Sequence, residues 1–106
     1  MQMSTQLKFP VKGDVAIACY FVKGNWPTVS TEPVLESTGK HMVLTVPLEA
    51  RVVRDFQELL SQAMSIDAKM AQSARTLRMM LATQLAGKVI PDANRYPFHD
   101  ASINAG

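Results

Sequence analysis

Residues 48 to 86 form a stretch of 39 positions without a glycine, a proline or an asparagine, and no other feature narrows the fold so far. At about 100° per residue, Leu48, Val52, Phe56, Leu59, Leu60, Ala63, Ile66, Met70, Ala74, Leu77, Leu81 and Leu85 fall within an arc of roughly 120°. That spacing predicts an amphipathic helix with one apolar stripe held in phase throughout. A stripe is a packing surface, so it constrains architecture and leaves activity open.

The stretch has one place to break. Ser65, Ile66 and Asp67 interrupt it with side chains able to cap a second helix. An unbroken helix would run about 58 Å at 1.5 Å per residue. A compact chain of 106 residues has a diameter of only roughly 33 Å. The stripe therefore implies either a hairpin broken near Ser65 or an oligomer in which another chain covers the overhang, and its length favours the oligomer.

Before the helix, the chain reads as β-structure. Leu7, Phe9 and Val11 alternate with polar partners in an edge strand over residues 6 to 11, where Pro10 lacks a ladder donor. Lys12, Gly13 and Asp14 are turn residues. Residues 15 to 22 are apolar at every position, with β-branched and aromatic side chains, and predict a central strand covered on both faces. Pro27 and Pro33 make residues 26 to 39 a loop with at most a short edge strand, at 29 to 31 or at 34 to 36. Residues 40 to 46 give another strand, closed by Pro47, with Thr45 as a possible N-cap and Glu49 in the first helical turn. The expected fold is one α+β domain over residues 1 to 90. In it a small, mainly antiparallel sheet (residues 6 to 47) packs on a long or once-broken amphipathic helix (48 to 86). Gly87 suits the position after the helix, Val89 and Ile90 suggest a short strand or a segment docked on the core, and residues 91 to 106 form an irregular tail.

Composition excludes more than it assigns. A hydrophobic fraction of 47% and a charged fraction of 19% are those of a globular chain. The net charge of +2 is too mild to single out nucleic acid as a partner. Cys19 is the only cysteine, which precludes an intramolecular disulfide and fits a reducing compartment. No signal peptide is visible, and the longest apolar run, residues 15 to 22, is too short to span a membrane. These features point to a cytoplasmic protein that does not enter a membrane.

No cofactor or catalytic pattern stands out. The glycines are scattered, outside any phosphate-binding motif. Cys19, His41 and His99 have no metal-ligand spacing. Cys19 with His41 is the one conceivable nucleophile and base, yet Cys19 lies in an apolar run and reads as core. Asp55 and Glu58, flanked by Arg51 and Arg54, read as exposed ion pairs at helical spacing. The expectation is no enzyme, no cofactor and no metal site.

Binding features remain. Met64 and Met79 lie outside the stripe, on the side a lone helix shows to water. Arg75 and Arg78, with Lys69 and Lys88, make the later part of the stretch basic, with no acid between Asp67 and Asp92. In the tail, Tyr96 and Phe98 are aromatic anchors for a partner or patches on the domain. Residues 42 to 47, a strand ending in Pro47 before two possible helices, resemble the ribbon–helix–helix repressors over about 45 residues. The resemblance implies a dimer whose paired strands enter the DNA major groove, with Thr45 the clearest base-reading side chain. The chain departs from that family in lacking a glycine between the helices and in its first 40 residues. The reading is a small protein-binding factor (an assembly, adaptor or inhibitor protein) that forms a homo-oligomer through its helix, with a DNA-binding regulator as the alternative.

Overall fold

The computed structural model describes residues 3–86. The expected strand at Val89 and Ile90 and the tail, with Tyr96 and Phe98, lie outside the described residues. Strand β1 (Ser4–Pro10) is followed by helix α1 (Val15–Gly24), a single 3-10 turn (Val29–Thr31), the hairpin β2 (Val34–Thr38) and β3 (His41–Pro47), and helices α2 (Ala50–Met64) and α3 (Ala68–Leu85). The fold is α+β, as expected, with helices packed on one face of a three-stranded antiparallel sheet.

The sheet order is β1-β3-β2. Both outer strands pair antiparallel to β3 and so run parallel to each other, and α1 crosses over the sheet to join them. Gly39, at φ +62°, takes the left-handed conformation in the tight turn between β2 and β3. Alternation sets which side chains enter the core. Thr5, Leu7 and Phe9 of β1 and Met42, Leu44 and Val46 of β3 are buried, while Gln6, Lys8 and His41 are exposed on the opposite face.

The helical stretch breaks where a break was allowed. Asp67 Oδ1 accepts a hydrogen bond from Met70 N at 2.8 Å and caps α3, which folds back along α2. The overhang is thus removed within one chain, whose dimensions are 33 × 30 × 26 Å. Most of the stripe is buried; Ile66, at the turn, is 51% exposed, and Met70 is half-buried against the core. With the stripe covered internally, it no longer gives a reason for a partner chain. Thr45 is not the helix cap: it lies in β3, and Glu49 takes the N-cap position of α2.

The main correction concerns residues 15 to 22, which form α1 and not a central strand. Ala18, Cys19 and Val22 face the core at helical spacing, while Tyr20 is 58% exposed. A run that is apolar everywhere has no polar positions to reveal its period, so its β-branched content misled. Small side chains at Ala16, Ala18 and Cys19 line the buried side of α1, which packs against α3 and α2. The central strand is β3.

Trp26, just beyond α1, meets Phe56 of α2 edge-on, with ring centroids 6.2 Å apart. Its indole N–H donates to Thr31 Oγ1 at 3.1 Å. Lys23 ties the end of α1 to the loop before β2, through Glu32 at 3.2 Å and the Pro33 carbonyl at 2.8 Å.

Candidate binding surfaces

Three surfaces carry the polar groups that packing leaves over. The first is the outer face of α3. This helix holds Lys69, Arg75 and Arg78 and no acidic residue within its bounds. At about 100° per residue, Gln72, Arg75, Met79 and Thr83 share an arc of about 80°. All four are exposed, and Met79 is the most open of them among the apolar side chains, at 66%. Arg78 is exposed about 60° round the helix from Arg75. Met64, in contrast, is half-buried and packs against the core. Of the expected partner-binding residues, the structure therefore brings Arg75, Arg78 and Met79 onto one helix and places Met64 elsewhere. Tyr96 and Phe98 fall outside the described residues.

The second surface is a cleft of about 210 Å³ between α2 and the end of α1, lined by Asn25, Pro27, Asp55, Glu58, Leu59 and Gln62. Asp55 pairs with its neighbour Arg54 at 3.7 Å, not with a residue one turn away as helical spacing predicts. Both lie at least partly in solvent, where such a pair contributes little.

The third is the face of the sheet that no described helix covers. Cross-strand register places Lys8, Val43 and Glu36 in one row and Gln6, Thr45 and Val34 in the next. His41 stands on this face between Pro10 and Thr38. Cys19 is buried on the helical side, and burial pushes its thiol up from 9.0 to about 12. The sheet separates the two residues, so the conceivable Cys19 and His41 pair is not assembled. Among the described residues, no group of three or more His, Cys, Asp or Glu side chains is placed to hold a metal ion, and no helix is long and apolar enough to cross a membrane.

Sequence reasoning missed three polar groups that the fold buries among the described residues, Thr5, Gln57 and Ser73. Ser73 has no exposure and bonds to the first turn of α1. Gln57 is 3% exposed, and its Oε1 has no hydrogen-bond partner among the described residues. Gln57 lies one turn from Val53 and one turn from Leu60, and a polar residue at the edge of an apolar stripe gives no sign that it will be enclosed.

The strand of the ribbon–helix–helix resemblance is hydrogen-bonded on both sides. β1 and β2 occupy the two edges of β3, so β3 has no free edge to pair with a second chain. No family model matches the chain, and no curated protein or solved structure is similar to it.

Proposed function

We propose that the protein is a small non-enzymatic binding factor that recognises an acidic protein surface through the outer face of α3. The observation that carries this reading is the exposure of Met79, at 66%, on a helix whose charged residues are all basic. A flexible thioether adapts its shape to a partner, and flanking guanidinium groups pair with carboxylates without needing burial. Arg75, one turn before Met79, supplies such a charge on the same face. An assembly, adaptor or inhibitor role fits a surface of this kind, which binds and offers no group to transform what it binds.

The same basic face also suits phosphates, so duplex DNA is the competing target. Its ribbon–helix–helix form is weakened by the occupied edges of β3, and DNA contact would have to run through α3.

A photo-crosslinking residue in place of Met79, in the full chain expressed in its native host, tests the proposal. The expected result is one discrete protein adduct that disappears when Arg75→Glu is added. Failure to form an adduct, or one indifferent to Arg75→Glu, speaks against it. Submicromolar binding to random duplex DNA that weakens steeply with added salt would move the function to nucleic acid.

A further inference from the structure

The sheet face that no described helix covers has a charge pattern that complements itself. Lys8 of β1 and Glu36 of β2 flank Val43 of β3 in one row, all pointing away from the helices. Lys8 and Glu36 are exposed, and neither forms an ion pair among the described residues. Val43 and Thr45 are half-buried, and Val34 is 52% exposed. Val43 thus stands between opposite charges on the two outer strands.

We propose that this face packs against the same face of a second copy, giving a two-sheet sandwich dimer about a two-fold axis that runs along β3. Such an axis exchanges left and right across the sheet. Lys8 then meets Glu36 of the second copy, Glu36 meets Lys8, and Val43 falls on Val43. A two-fold axis drawn across the strands would instead set Lys8 against Lys8 and Glu36 against Glu36. The charges therefore select one of the two face-to-face arrangements. In that arrangement the strands of the two sheets stay within about 30° of each other, which is the usual aligned packing of twisted sheets, and the contact is isologous.

Size sets the strength. At about 3.4 Å per residue and about 4.8 Å between strands, the face measures roughly 24 by 14 Å, or about 340 Å². A stable interface buries about 800 Å² per partner. The association is accordingly weak. The proposal stands apart from the reading of α3, which lies across the other side of the sheet.

Charged residues on outer strands also serve to discourage edge pairing, and a charge exchange separates that role from this one. Sedimentation equilibrium of the full chain is measured from about 10 µM to about 1 mM in low salt, where charge pairs are least screened. The mass is expected to rise towards twice the 11.7 kDa of one chain. Lys8→Glu and Glu36→Lys each weaken association at least about tenfold by placing like charges opposite one another, and the two changes together restore it. Val43→Arg, at the centre of the same face, abolishes it. Circular dichroism checks that every variant stays folded, as the outward position of all three residues leads one to expect. A single-chain mass across the whole range overturns the proposal, and so does self-association that neither charge exchange alters.

Discussion

The hydroxyl of Ser73 is inserted into the first turn of α1: it accepts a hydrogen bond from Ala18 N at 3.0 Å and donates to the Asp14 carbonyl. Those two backbone groups would otherwise bond to each other across the helical turn. The Asp14 carbonyl also accepts from Ile17 N at 3.1 Å, so the helix opens with a tighter turn beside the serine. One side chain of α3 thereby joins the start of α1 across 55 residues of sequence.

Ser73→Ala removes this bridge and leaves Ala18 N either to reach the Asp14 carbonyl, which still accepts from Ile17 N, or to remain unpaired. A buried unpaired group costs about 1–3 kcal/mol. Urea unfolding should show a loss in that range, with faster hydrogen exchange at the Ala18 amide. Unchanged stability together with unchanged exchange at Ala18 would show that the direct bond forms instead at no cost.

Asp67 decides where the helical stretch turns back. Replacing it with Ala removes the acceptor for Met70 N and should cost about 0.5–2 kcal/mol. Asp67→Ser keeps an oxygen within reach of the same amide and should recover most of the loss. Equal stabilities for the two variants in urea would mean that packing of α3 on α2, and not the cap, fixes the turn.

How much of this was legible in the sequence depended on contrast. The stripe from Leu48 to Leu85 shows a helical period because polar residues separate its apolar ones, and Asp67 declares its capping role by type. The strands around Leu7 and Leu44 alternate and could be read. Residues 15 to 22 offered no polar position, so neither the period nor the buried face of α1 was visible. The contact between Ser73 and Ala18 was equally hidden, since nothing local links a serine on one helix to an amide on another. Of the side chains that the sequence sets outside the stripe, Arg75, Arg78 and Met79 are exposed on α3 and Met64 is half-buried, and the row of Lys8, Val43 and Glu36 exists only once the register is known.

Phe56 is fully buried and holds the edge-on contact with Trp26, the only tryptophan. Phe56→Ala should destabilise by about 3–5 kcal/mol through lost burial and the cavity left behind. Since Trp26 reports alone, its native emission should also shift in this variant under conditions where the chain stays folded. Native emission identical to the unaltered chain would place Trp26 away from Phe56 in solution.

Cys19 offers a test of the core by pH. Burial raises its thiol from 9.0 to about 12, so the folded chain keeps a proton that the unfolded chain releases. The stabilising effect of this difference is complete below pH 9.0 and is lost as pH rises towards about 12. Within the window the loss approaches roughly 1.4 kcal/mol per pH unit. Lysine and tyrosine side chains ionise over the same range in any protein, so the measurement is the difference in stability between the unaltered chain and Cys19→Ala. Below pH 9 the difference should be constant, set by the volume that the sulfur fills. Above it, the advantage of the unaltered chain should shrink steadily, because alanine has no proton to lose. A difference that stays level from about pH 9 to about pH 11 would mean that the thiol reaches water in the folded state. Alkylation gives an independent reading: a buried thiol reacts at the rate of opening, so the native chain should be modified far more slowly than the same chain in urea. Equal rates would place Cys19 at the surface and remove it from the core.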